Sequence, residues 1–167
     1  GEILMSNPSK VLIPLLLKDY LRVSLQLGRD VHFDSDDLEN CMASVTGLAL
    51  GESYFFGDLR VDTHYGGHVL GAVMVTLSVA GQTVFYTGDF NSNPDRHLGS
   101  ARIPQFLRPD VVISESTYAT SVFSSTRQRE QDFCKQVQDT LEGGGKVLIP
   151  VFAVGRAQEF CIILQDH

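Results

Sequence analysis

Three side chains in this 167-residue sequence stand where chemistry is usually presented: His68, Asp89 and Glu115. His68 follows Gly66-Gly67, Asp89 ends the run Val84-Phe85-Tyr86-Thr87-Gly88, and Glu115 follows Val111-Val112-Ile113-Ser114. A strand that buries its apolar part delivers the polar residue at its end to the sheet rim, a common address for ligands and reacting groups. An imidazole and a carboxylate suit Zn²⁺. A carboxylate shared between two ions suits a pair about 3.5–4 Å apart that stabilises both the attacking and leaving oxygens of a phosphodiester. If the three residues share a cleft, metal-assisted hydrolysis is the chemistry they would serve. Two ligands do not complete even one tetrahedral site, so His68 and Asp89 would form only part of it.

Each residue also has a structural reading. His68 could be a hydrogen-bonded residue of a glycine bend, and Asp89 could bond its own backbone in an Asx turn. Asp95-Arg96, with His97 beside them, reads more readily as a clamp than as a reacting unit. Gly155-Arg156 could hold a phosphate at a helix N-terminus, or could be a tight turn carrying a salt-bridged arginine. His68 and Asp89 are 21 positions apart, a spacing that permits a shared site without requiring one.

The elements that must position these groups follow from periodicity. Leu12, Leu15, Leu16, Tyr20, Val23 and Leu27 recur at helical spacing, predicting a helix capped by Ser9 and closed by Gly28, with Pro14 near its start. A second helix is expected from about Asp36 to Val45, capped by Ser35 or Asp36. From Leu48 onward the pattern becomes strand-like. Ser53–Phe56 and Leu59–His64 flank Gly57-Asp58, Val73–Val79 and Thr83–Thr87 flank Ala80-Gly81-Gln82, and Asp110–Ile113 is a further apolar run. After a polar stretch at Ser121–Thr126, Ser125 and Gln128 form a capping-box pattern for a helix ended by Gly143-Gly144-Gly145. Lys146–Phe152 is then expected as a buried strand leading through Gly155-Arg156 into a last helix, the helix–strand–helix order of an α/β parallel sheet. A domain boundary near residue 120 is expected, with the final segment too short to be a complete domain.

Composition narrows the class. With 43% hydrophobic and 20% charged residues the chain reads as a soluble globular domain, without an apolar run of membrane-spanning length or a signal-peptide pattern. Cys41, Cys134 and Cys161 are odd in number and widely spaced, which suggests neither a disulfide framework nor a Cys-x-x-Cys zinc site and fits a reducing compartment. A net charge of −7 argues against binding nucleic acid by bulk electrostatics, so a polyanionic substrate would need bound cations and local arginines.

The segments G-G-H-V-L-G-A, Y-T-G-D-F, P-D-R-H-L-G, S-E-S-T-Y-A-T and G-G-K-V-L-I-P-V-F-A-V-G-R-A-Q-E together resemble the metallo-β-lactamase/β-CASP nucleases of RNA processing, over essentially the whole chain. The resemblance implies an α/β fold. Residues 1–120 would form part of a metallo-β-lactamase αββα sandwich, lacking its N-terminal strands, and residues 121–167 the beginning of an inserted β-CASP domain. It implies a zinc-dependent endonuclease that hydrolyses RNA phosphodiesters in 3′-end processing, with two zinc ions in the complete enzyme and an incomplete or absent set in this segment. His68 would be a zinc ligand and Asp89 the carboxylate bridging the two ions. Glu115 would be an acidic residue orienting a histidine that acts on the leaving group. The implied partners are an RNA substrate, a homologous scaffold subunit of the same fold, and other subunits of a processing complex in the nucleus, with no membrane. The alternative is a non-catalytic scaffold paralogue that pairs with the nuclease.

The departures are specific. The family's His-x-His-x-Asp-His motif is absent and is expected before Gly1, and its later β-CASP histidines are expected beyond His167. Gly67 stands where relatives usually carry alanine, an exchange expected to be harmless in a bend.

Overall fold

A computed structural model describes residues 1–167. It is a mixed α/β structure built on two sheets. In the first, β1 (Ile3–Ser6) runs parallel to β2 (Val45–Leu48), with α1 (Asn7–Gln26) and α2 (Ser35–Ala43) in the crossover between them. The second sheet has five strands in sequence order: β3 (Ser53–Phe56), β4 (Leu59–Tyr65), β5 (Val73–Val79), β6 (Gln82–Tyr86) and β7 (Val111–Ile113). The β3 to β6 strands are successive antiparallel neighbours, and β7 adds parallel to β6. Two helices complete the chain, α3 (Thr126–Glu142) and α4 (Arg156–Asp166).

The five-stranded sheet follows its expected pattern closely, because turn chemistry pins it. Ala80 and Gly81 both take positive φ, the backbone that a two-residue hairpin matched to strand twist demands, so Val79 pairs with Gln82. The core lies between alternating inward residues: Val61 and Thr63 on β4, Met74 and Thr76 on β5, and Phe85 on β6 are buried. Leu21 on α1, Leu38 on α2, and Val45 and Leu48 on β2 are buried, and α1 packs against both strands of the small sheet and against α2.

The first helix starts earlier than its hydrophobic repeat indicates. Ser6, not Ser9, is the cap: its Oγ accepts from Ser9 N–H at 3.3 Å, and Pro8 fits the first turn because no intrahelical donor is needed there. Asp34 caps α2 through a reciprocal box with Asp37, one residue before the expected Ser35 or Asp36. Val45, expected to end α2, is instead the first residue of β2 and is buried there. Both strands of the small sheet escape periodicity because four residues are too few to display it.

Lys146–Phe152 is not a buried strand. It forms no ladder, and Leu148 is 92% and Phe152 88% exposed. An apolar run records a preference for burial, whereas a strand also needs a ladder partner, and residues 146–152 pair with no strand of either sheet. The expected helix–strand–helix unit therefore reduces to α3 and α4 packed on each other directly, with the Phe133 and Phe160 rings 4.8 Å apart. Ser125 Oγ does cap α3 by accepting from Gln128 N–H, but the Gln128 amide donates onward to Asp132 and leaves the box half made.

Candidate active site

The bend that carries His68 joins β4 to β5 and is closed by its own backbone. Gly66 N–H donates to Ala72 O at 3.1 Å and Ala72 N–H to Val69 O at 3.0 Å. Gly67 takes φ +69°, and a Cβ there would stand 2.6 Å from Ala101 N and 2.8 Å from both Asn91 O and Gly99 O. Glycine is accordingly well suited to this position, which in this chain needs both the left-handed backbone and the missing side chain. Outside the sheet the bend is buttressed by the start of α1: Ser6 Oγ donates to Gly71 O at 2.7 Å.

Asp89 arrives from the neighbouring strand. β6 ends at Tyr86, Thr87 is buried, and Gly88 turns with φ +52° to release Asp89. The segment then returns to the His68 bend, with Asn91 N–H donating to Gly66 O at 2.9 Å and Ala101 N–H to Asn91 O at 2.7 Å. These bonds bring His68 Nε2 to 3.9 Å from Asp89 Oδ2, with both side chains open to solvent. Glu115 lies one element further on. Its backbone N–H donates to Thr87 Oγ1 at 3.3 Å, and its Oε1 accepts from Phe90 N–H at 3.1 Å. The Phe90 amide first, and then the Thr117 hydroxyl, hold the Glu115 carboxyl below the usual carboxylate range, with the nearby His68 contributing in the same direction. The three residues named from sequence thus share one rim.

Their fit to zinc can be tested on the donors. Two ligands about 2.1 Å from one ion at a tetrahedral angle lie about 3.4 Å apart, and they cannot exceed about 4.2 Å. A separation of 3.9 Å falls inside that limit, so the imidazole and carboxylate could meet one ion or serve adjoining ions without backbone movement. No group of three or more His, Cys, Asp or Glu side chains in the chain is arranged to hold an ion. The donor types fit zinc; the set is partial.

A cleft of about 890 Å³ opens beside this rim, between the segment after Asp89 and helices α3 and α4. Glu115, Phe90, Tyr118, Arg129 and Arg156 are among the residues that line it. Asp95, Arg96 and His97 form the clamp that their sequence allowed. Arg96 meets Glu130 at 2.8 Å and Asp166 at 2.5 Å, and Arg156 lies 3.6 Å from Asp95. The partner that sequence reading missed is Glu159: it is buried, accepts from Arg96 N–H at 3.0 Å on both oxygens, and lies 2.8 Å from His97 Nδ1. Nothing local to Glu159 announced this, because its partners are more than sixty positions away.

No family model matches the chain. Individual proteins do. Over 99% of its length the chain is 49% identical to Integrator complex subunit 11 of Danio rerio, covering 28% of that protein. Over its full length it is 46% identical to cleavage and polyadenylation specificity factor subunit 3-II of Arabidopsis thaliana and 44% identical to an Integrator complex subunit 11 homolog of Dictyostelium discoideum, covering 27% and 23% of them. The chain therefore spans about a quarter of the length of these curated relatives, and across that span it belongs to the family that includes Integrator complex subunit 11 and cleavage and polyadenylation specificity factor subunit 3.

Proposed function

We propose that the full-length protein is a zinc-dependent endonuclease that hydrolyses RNA phosphodiesters in 3′-end processing, of the Integrator type. In this reading residues 1–120 belong to a metallo-β-lactamase sandwich and residues 121–167 open an inserted β-CASP domain. The observation that carries it is the 3.9 Å approach of His68 Nε2 to Asp89 Oδ2 on a solvent-facing rim, in a chain related to proteins named as Integrator and polyadenylation-factor subunits.

His68 Nε2 would hold one zinc ion, and Asp89 would bridge two. When bound, the ions supply Lewis acidity at a phosphodiester oxygen and lower the pKa of water. The chain's own residues then have definite tasks. The glycine bend fixes the imidazole, and the bond from Phe90 N–H keeps Glu115 ionised and aimed along the same rim. Glu115 is thereby suited to orient a histidine acting on the leaving group. A polyanionic substrate is compatible with the net charge of −7 only through bound cations, which would offset the carboxylates that line the cleft beside Arg129 and Arg156. The partners on this reading are RNA, a homologous scaffold subunit and other subunits of a nuclear processing complex.

The deciding experiment is Asp89→Ala in the full-length protein, followed by RNA cleavage and zinc content. Loss of both supports the proposal. Cleavage at the wild-type rate by the variant refutes it, and a wild-type protein that neither cleaves nor binds zinc supports the scaffold reading instead.

A further inference from the structure

We infer that Glu159 is a positioning residue: its buried carboxylate locks the first turn of α4 against the segment leaving Asp89, and so sets the far wall of the cleft relative to the His68–Asp89 pair. The inference rests on the proposed function of that pair, but its own support is independent of any metal.

Charged side chains are seldom buried unless satisfied, and Glu159 is satisfied only by the facing loop. Both of its oxygens take the Arg96 N–H at 3.0 Å, and Oε2 also meets His97 Nδ1. Neither partner belongs to its own helix. The loop they occupy leaves Asp89, is pinned at its base by Asn91 N–H to Gly66 O, and turns at its tip through Asp95 N–H to Leu98 O at 2.9 Å. Glu159 therefore grips the tip of a loop whose base is bonded to the His68 bend.

The same helical turn touches the other side of the site. Gly155, the N-cap of α4, takes φ +93°, and a Cβ there would stand 3.1 Å from Val69 Cγ1, the side chain next to His68. Arg156 follows, 3.6 Å from Asp95 and on the cleft wall. The α4 N-terminus is thus wedged between the two segments that present His68 and Asp89, with Glu159 as its one buried ionic anchor. Arg96 adds contacts to Glu130 and Asp166, but these side chains are more open to water and are worth less.

If Glu159 positions the wall, truncating it should misplace bound substrate while leaving the metal ligands in place. In full-length protein, Glu159→Ala is expected to keep its zinc content and to lose about 100-fold in kcat, with KM for a cleavable RNA oligonucleotide changed less than kcat. Amide exchange at Arg96 and across residues 92–99 should accelerate in the same variant, a readout that needs no cleavage. Glu159→Gln should restore kcat to within about tenfold, since the amide oxygen still accepts from Arg96 N–H and the amide NH₂ can donate to a neutral imidazole. Arg96→Ala, which spares that backbone bond, should be milder than Glu159→Ala. Wild-type kcat with unaltered amide exchange in Glu159→Ala, or loss of its zinc, overturns the inference. If Asp89→Ala cleaves normally while exchange at residues 92–99 still responds to Glu159→Ala, the reading of the active site has failed and the anchoring role has not.

Discussion

His68 Nε2 and Asp89 Oδ2, 21 positions apart in sequence, meet within 3.9 Å because the β5–β6 hairpin folds the chain between them back on itself and the Asn91–Gly66 bond closes the gap between the two ends. On the proposed function the pair would form a pre-set part of an ion site. Two donors hold zinc far more weakly than the three or four of a complete site. After desalting, elemental analysis of the 167-residue chain should find well under one zinc per molecule, and full-length protein should retain about two. Stoichiometric zinc on the short chain would contradict this account.

Glu115 should reveal its hydrogen bonds through pH. Its folded-state pKa is lowered from the ordinary 4.5, chiefly by the Phe90 amide. The stabilisation is accordingly complete above that ordinary value and is lost as pH falls through the lowered one. Glu115→Gln removes the titration. The gap in Tm between wild type and variant should stay constant from neutral pH down to about 5 and narrow below about 4. A gap that widens on acidification has the wrong sign for a depressed carboxylate.

Most of the antiparallel sheet was legible in the sequence because alternation and turn residues report directly on β3–β6, and the rim residues follow from where those strands stop. What escaped did so for identifiable reasons. Ser6 was hidden because the hydrophobic repeat of α1 begins after its cap, and β1 and β2 because four residues carry too little pattern. Residues 146–152 misled because burial preference was read as strand pairing. Glu159 was invisible because a buried carboxylate is defined by remote partners, here Arg96 and His97, and not by its neighbours in α4.

The difference between apolar character and burial can be measured. Met74 on β5 has no exposed surface, so Met74→Ala should cost about 2–5 kcal/mol of stability through lost contacts and a residual cavity. Phe152 is 88% exposed in the unpaired segment after α3, and Phe152→Ser in the same 167-residue chain should stay within about 0.5 kcal/mol. Denaturant titrations of both variants decide the matter. A large loss for Phe152→Ser would mean that residues 146–152 pack after all.

The glycine bend offers the sharpest local test, because two adjacent glycines differ in what surrounds them. At Gly67 an added methyl would meet three backbone atoms within 2.8 Å while the residue holds φ +69°. Backbone cannot swing aside as a flexible side chain can, so the bend or the Asn91–Ala101 pairing must give way. At Gly66 the nearest atom is Ala72 O at 3.0 Å and φ is not left-handed, so a shift of a few tenths of an ångström suffices. Gly67→Ala should therefore lose about 1–3 kcal/mol of stability, the range for strain at a special backbone position. In the full-length protein it should also lower zinc affinity, since His68 is the next residue. Gly66→Ala should cost less than about 1 kcal/mol and leave zinc binding nearly intact. If the two variants unfold at the same denaturant concentration, the bend is not held by the crowding that its geometry describes.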